Sequence, residues 1–516
     1  MSQPDTKLDM NKIRLQLCIL LGLFAFNTSW AQLGSFELVF PVDDQSLKVK
    51  GEFESGLRSG TWFAYNEDSS YFQTGPYSKG KKDGVWLIYI DKLERARISF
   101  KSDTVQGPYI LFHDNGSMAV RANFEKNHLD GEWKSYRPDK TLLDKGVFEK
   151  GQKTGKWVSY FESGDMEIVS EYKSGKLEGP YAVFDEYGTK TIDATYTNGL
   201  LNGDWKKYDY DGLIIERGAF VNGLRNGKWE YFFEPRRKSA IEYYENGNKT
   251  GKWTTYHYNG RVASEINYMD DKPVGQGTSW YANRQIESRS FYKLGLMDST
   301  FTQYYENGAK MMEGEYKVGL KTGPWKFYHG NGMIAQFGSF DIDKRVGNWK
   351  FFNESGKLIS EGSYRLGLEI GQWFVYYGNG KLESIGAYLA GEKDGLWGYF
   401  HQSGKPMKEE TWKKGKLLEI SDFTSSRGKV LDSGDLTGGN GSVTNYYANG
   451  IIFSQGRYSN GYANGKWVFY DERGKKLTEG ELIEGVRNGE WKVFSSTGRL
   501  IKTELYQNGE LIEERR

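Results

Sequence analysis

The sequence predicts an all-β fold: an elongated, single-domain antiparallel β-meander built from tandem hairpin repeats. Three observations carry that reading. Trp62, Trp86, Trp133, Trp157, Trp205, Trp229, Trp253, Trp325, Trp349, Trp373, Trp397, Trp467 and Trp491 recur every 24 residues or a multiple of it, with slips of one or two residues near 109 and 443. Tyr109, Tyr181, Gly277, Phe301, Ser421 and Val443 fill the vacant beats, which makes about nineteen units. Each unit also carries a turn rich in Gly or Asn-Gly between two aromatic or β-branched runs. A period of this size marks a repeat array, in which each unit buries its apolar face against its neighbours.

The first element is a processing signal. Lys12 and Arg14 precede the apolar run Leu15 to Phe26, and Ser29-Trp30-Ala31 places small residues at the two cleavage-determining positions. A basic start, about a dozen apolar residues and a small-x-small site predict a secretory signal peptide over 1–31, too short to span a bilayer, with an uncleaved membrane anchor as the alternative. Met10 is an alternative start, because Met10 to Arg14 then forms an ordinary basic n-region. The sole cysteine, Cys18, lies inside the apolar run, and Leu17 before it does not suit lipidation. The mature chain is thus expected to lack disulfides, thiolate metal sites and cysteine nucleophiles. Residues 32–47 form a lead-in, and 48–516 the repeats.

Residues 151–174 show the unit. Trp157 to Phe161 has strand composition. Glu162-Ser163-Gly164 is a turn, which reads Asn259-Gly260, Asn307-Gly308 and Asn449-Gly450 in sister units. Asn-Gly between apolar runs is a strong hairpin signal, since both residues tolerate positive φ. Asp165 to Tyr172 returns as the second strand, and a loop with Gly175 and Gly179 leads to the next unit.

With the tryptophan as position 0, position −6 is occupied by Gly56, Gly80, Gly151, Gly175, Gly199, Gly223, Gly247, Gly295, Gly319, Gly367, Gly391, Gly415, Gly461 and Gly485. The exceptions are Asp103, Asn127, Asp271 and Asp343, with Thr437 in an irregular stretch. Asn and Asp are the residues after glycine that best tolerate the left-handed region, so the position is expected to need φ > 0. The glycine at −2 is also steady, and Pro108, Pro180 and Pro324 follow it at a strand start.

Parity separates two aromatic rows. Trp at 0 and Phe or Val at +2, as in Trp325 and Phe327, share one face. The tyrosines at +3, Tyr160, Tyr208, Tyr256, Tyr304, Tyr328, Tyr376 and Tyr470, point to the other. The tryptophan row is expected inside a twisted, curled sheet, and the tyrosine row outside it, partly covered by lysine stems.

Composition narrows the function classes. Lys and Arg total 69 against 68 Asp and Glu, a net charge of +1. That gives no concentrated basic surface for nucleic acid. His113, His257, His329 and His401 share one slot at +4, three or six units apart, too far to meet in a metal centre or triad. His128 stands alone. Neither a nucleophile elbow nor a phosphate-binding loop occurs; Gly438 to Gly441 lies on a repeat loop, and Asp341-Ile342-Asp343 lacks the rest of a calcium loop. No cofactor, metal or enzymatic activity is expected. Lys153, Lys176, Lys249, Lys321 and Lys393 recur on one edge, either as a basic stripe or as solvated loop charges. Residues 270–300 and 412–445 depart from the pattern through Gly277, Trp280, Ser299, Ser421 and Thr424.

The run Trp253-Thr254-Thr255-Tyr256-His257-Tyr258-Asn259-Gly260, the return through Tyr268 and the loop Asn246 to Lys252 resemble the MORN-repeat variant family. The loop reads Gly-Lys-x-x-Gly-x-Trp, where standard MORN units carry a His-Gly pair. The resemblance implies a meander of β-hairpins and a binding or scaffolding role. The expected protein is exported (periplasmic, outer-membrane-associated or extracellular) and binds an unidentified protein or glycan of the bacterial envelope through the tyrosine row and loop edge. A membrane-lipid or glycan module and an antitoxin-like partner-binding protein are the alternatives; a secretion signal does not suit a cytoplasmic antitoxin.

Overall fold

The computed structural model describes residues 48–65, 71–90 and 92–516. The expected signal peptide and lead-in lie outside the described residues. Among those residues are 44 strands and no helix. The chain divides into two compact units, Met1–Asn248 and Lys249–Arg516. Within each, strands pair antiparallel with their neighbours in the chain, as in Leu320–Tyr328 with Ile334–Asp341, and Ile334–Asp341 with Lys344–Phe352. The meander is interrupted in the second unit after Lys416–Ile420. A small pair, Phe423–Thr424 with Val430–Leu431, follows before seven further strands to Arg515.

Two kinds of hairpin alternate, and their assignment reverses one expectation. The loop at −7/−6 is itself the two-residue hairpin with both centres left-handed: Asn222 and Gly223 at φ 50° and 82°, between Val221 and Leu224, which are paired. Every glycine named at −6 has positive φ, as do Asp103, Asn127, Asp271 and Asp343. Those four also use the side chain. Asp343 Oδ1 accepts the Lys321 N–H at 2.8 Å, and Asp103, Asn127 and Asp271 do the same to Lys82, Val105 and Lys249 at 2.7 Å. The Asn-Gly turn, by contrast, is a longer connection in which only the glycine is left-handed. Gly308 has φ 86°, its N–H reaches Tyr305 O at 2.8 Å, and Asn307 has no positive φ. Asn307 instead accepts the Ala309 N–H on Oδ1 and donates through Nδ2 to Gly330 O in the next repeat. The extra residue appears as a bulge on the return strand.

A second bulge seats the tryptophan. Phe337 pairs with Lys350 and Ser339 with Val346, so Gly338 alone faces Gly347, Asn348 and Trp349. Gly347, at φ 65°, lets the strand arch there. The Trp349 indole falls back over Gly338, eleven residues earlier; a Cβ built on Gly338 would sit 2.3 Å from the ring. The same contact joins Gly51, Gly75, Gly146, Gly218, Gly314, Gly362, Gly386, Gly456 and Gly480 to the tryptophan eleven residues later, and all ten of these tryptophans are buried.

Rings then fill the core, as expected of the tryptophan row. In the second unit Phe340 stands edge-on between Trp325 (6.0 Å, 81°) and Trp349 (5.2 Å, 87°), and Tyr364 repeats this between Trp349 and Trp373. Phe327 lies beside Trp325 at 5.9 Å and Trp349 at 6.3 Å, so the +2 residue shares the tryptophan's side of the sheet. Each edge-to-face pair contributes about 0.5–1.5 kcal/mol beyond area burial. An aromatic at +15 is therefore as much a part of the repeat as the tryptophan.

Candidate functional site: the tyrosine row and the turn edges

The tyrosines at +3 do lie away from the tryptophan core. All seven are half-buried rather than exposed. Tyr328 donates to Glu313 Oε1 at 2.5 Å and Tyr376 to Glu361 Oε1 at 2.9 Å, and Tyr470 accepts from Gln455 Nε2 at 3.1 Å. Lys145 lies 5.4 Å from the Tyr160 ring centre, the kind of lysine cover the sequence suggests. Lysines hold the carboxylates in turn, Lys310 at 2.7 Å from Glu313 and Lys350 at 3.0 Å from Glu361. Burial, and then the bond to the carboxylate, pushes Tyr328 and Tyr376 up to about 12. The lysine partners hold Glu313 and Glu361 below the usual carboxylate range. At Tyr328 and Tyr376 the row is thus an uncharged ring rimmed by a lysine–carboxylate pair, a platform for contact.

The recurring lysines are neither a basic stripe nor solvated loop charges, Lys176 excepted, which is exposed at −5. The cation at −4 folds over the tryptophan of its own unit. Lys153 Nζ lies 3.9 Å from the Trp157 ring centre, Lys249 4.4 Å from Trp253, Lys321 5.0 Å from Trp325 and Lys393 4.3 Å from Trp397. Arg58, Arg225, Arg345 and Arg487 do the same. Cation–π attraction of about 0.5–2 kcal/mol holds them there. Burial lowers the pKa of Lys82, Lys153 and Lys393.

The histidines at +4 are structural. Nε2 of His113, His257, His329 and His401 meets the carbonyl of Tyr136, Trp280, Phe352 and Thr424, at 2.6–2.9 Å. A carbonyl can only accept, so Nε2 carries the proton. Tyr281, Tyr305, Tyr377 and Tyr447 fill the same slot and donate their hydroxyls to the equivalent carbonyls at 2.8–2.9 Å. His128 is exposed. Among the described residues no three of His, Cys, Asp and Glu gather closely enough to hold a metal ion.

Both irregular stretches substitute for a missing tryptophan. At Gly277 a Cβ would meet Tyr292 at 2.9 Å. Near Ser421, Leu417, Leu436 and Val443 form a buried cluster, and Glu410 stands in place of the −11 glycine. Glu410 accepts from Tyr399 at 2.7 Å, Trp412 Nε1 at 2.9 Å and Lys408 at 2.6 Å.

With this geometry in place, four stretches, 249–270, 345–365, 369–389 and 440–460, match the family described as MORN repeat variant. Those four stretches are MORN-variant repeats. The last of those stretches is the unit that follows the interruption, so the MORN-variant pattern resumes there. No curated protein matches the chain. Among solved structures it is similar to the crystal structure of TcdB2-TccC3-Cdc42, at 11% identity over 87% of this chain and 26% of that one, with a TM-score of 0.12. It is also similar to the Photorhabdus luminescens Tc holotoxin pore, at 10% identity over 87% of this chain and 26% of that one, with a TM-score of 0.13. The chain spans about a quarter of the length of those chains, and at such TM-scores the likeness carries no argument.

One feature of the turn edge was not legible in the repeat pattern. At −7 the second unit presents Leu294, Val318, Ile342 and Leu366, 63–72% exposed. It stands out only against the first unit, where the same slot reads Ser, Lys or Asn throughout.

Proposed function

We propose that this repeat-based binding protein is exported and acts, without catalysis, as an interaction scaffold for a protein or glycan of the bacterial envelope. The observation that supports the reading most is the half-buried tyrosine row at +3, which recurs along the array with Phe or Trp in several other units and at Tyr328 and Tyr376 carries ring surface with a carboxylate–lysine rim. Extended faces of repeat arrays are their usual binding surfaces, and aromatic rows suit sugar rings and extended peptides. A basic membrane-binding stripe has less support, because the −4 cations are spent on tryptophan rings.

Two measurements test it. Fused to a phosphatase that folds only outside the cytoplasm, the N-terminal segment gives activity; an inactive fusion contradicts export. Envelope extracts passed over the wild-type chain and over Tyr328→Ala/Tyr376→Ala then show which ligands depend on the row. A ligand held by the wild type and lost by the variant is expected, and identical capture by both contradicts the tyrosine face.

A further inference from the structure

The −7 turns of the second unit break a conformational rule. In the first unit that left-handed position holds Ser55, Lys79, Ser102, Lys126, Lys150, Ser174, Asn198, Asn222 and Asn246. In four successive repeats of the second it holds Leu294, Val318, Ile342 and Leu366, at φ 51°, 52°, 48° and 53°. A β-branched residue at such an angle is a true outlier. Burial within the chain does not compensate, since exposures are 72, 63, 64 and 66%. Leu296, Leu320 and Leu368, two residues further on, are 47, 39 and 48% exposed and widen the row. Exposed cations flank it at Lys293, Lys317, Lys344 and Arg365, against the exposed Asp341 and Asp343 on either side of Ile342. A strained apolar row with a net positive margin marks a contact surface.

Its complement lies on this same chain. At the opposite turns of the first unit, residues 161–165, 185–189 and 209–213 contain Glu162, Asp165, Asp185, Glu186, Asp209 and Asp211 and no lysine or arginine. Tyr187 and Tyr210 stand out there at 94 and 82% exposure. Both rows come from the same repeat, so each advances by two strand spacings, about 9.6 Å per unit. Aromatic tips on an acidic edge thus match, in pitch and charge, apolar tips on a basic edge.

We infer that a second copy of this chain docks here, the acidic tyrosine-tipped edge of one copy on the basic apolar edge of another. The contact joins two different patches, so each copy keeps one free edge of each kind and assembly continues until a ring closes. The inference rests on the scaffold reading only in taking a turn edge as a contact surface, and it stands whatever the tyrosine row at +3 binds.

Sedimentation velocity of the full chain tests it. The weight-average mass should rise with concentration and fall at high salt, where charge attraction is screened. Val318→Asn/Ile342→Asn/Leu366→Asn should be monomeric yet melt no lower than wild type, because Asn suits the left-handed turn. Tyr187→Ser/Tyr210→Ser should also be monomeric. Mixed, the two variants should form a one-to-one dimer and nothing larger, each supplying the edge the other lacks. A wild type monomeric throughout, an Asn variant that still assembles, or a mixture that stays monomeric overturns the inference. So does a monomeric wild type that binds anionic vesicles and loses them with the Asn variant, which assigns the row to a membrane. Envelope capture through Tyr328 and Tyr376 is read separately, so the two proposals can fail independently.

Discussion

Trp349 is buried because Gly338 has no side chain. The indole occupies the space of the missing Cβ, and its Nε1 reaches Ser339 O at 3.2 Å. The chain contains its own control. Trp133 and Trp205 face Ala122 and Ala194 at the −11 slot, Trp253 faces Glu242, and these three tryptophans are only half-buried. Trp133 Nε1 bonds Asp144 instead of a strand carbonyl. Seating is thus set by one carbon atom on the neighbouring strand.

The −6 position gives the first prediction. Gly223 and Gly319 have φ of 82° and 81°, so valine there should destabilise by about 1 kcal/mol or more beyond asparagine, although valine is the better strand former. In an array the loss should appear as local opening. Hydrogen exchange resolved by repeat measures it; equal protection in the two variants contradicts the left-handed requirement.

The +4 slot gives the second. His257→Tyr should be nearly neutral, since Tyr281, Tyr305, Tyr377 and Tyr447 make the same bond in their own units. His257→Phe should cost about 1 kcal/mol, the net value of a lost hydrogen bond. Thermal melts of the pair decide it, and equal losses would show that the bond contributes nothing.

Alkaline pH gives the third. Tyr109, Tyr328, Tyr376 and Tyr458 are pushed up to about 12 in the folded chain, chiefly by burial. Between 10 and 12 the unfolded chain loses these protons and the folded chain keeps them, so stability is full below 10 and falls through that window. The lysines lowered by burial act oppositely, but only three are so lowered among the described residues. Denaturant midpoints should fall from pH 10 upward, and less steeply in Tyr328→Phe/Tyr376→Phe; a flat profile contradicts the account.

Several of these features were legible in the sequence for a physical reason. Trp spacing reports burial, and a position that accepts Gly, Asp and Asn but not Ala reports backbone angle. Both survive in the structure, at Trp349 and Asp343 alike. Gly338 was not read, because a glycine with ordinary strand φ looks like a weak residue until the ring above it is placed. In the sequence Lys153 looks like part of a basic stripe or a loop charge because its neighbour in space, Trp157, is four residues on and meets it only once the bulge at Gly155 turns the strand. The two turns exchanged types because Asn307-Gly308 and Asn222-Gly223 look alike; the count of residues between paired strands separates them.

Repeat-resolved hydrogen exchange on two opposite substitutions tests the central claim that a glycine eleven residues earlier seats each tryptophan. Gly338→Ala should expel Trp349 and lower protection of strands Ile334–Asp341 and Lys344–Phe352, a loss of about 1–3 kcal/mol typical of overpacking. Ala194→Gly should let Trp205 settle and raise protection of strands Lys190–Thr197 and Leu200–Tyr208, despite the lower strand preference of glycine. If Gly338→Ala leaves protection unchanged, or Ala194→Gly lowers it, the glycine does not seat the tryptophan and the repeat is held together by something else.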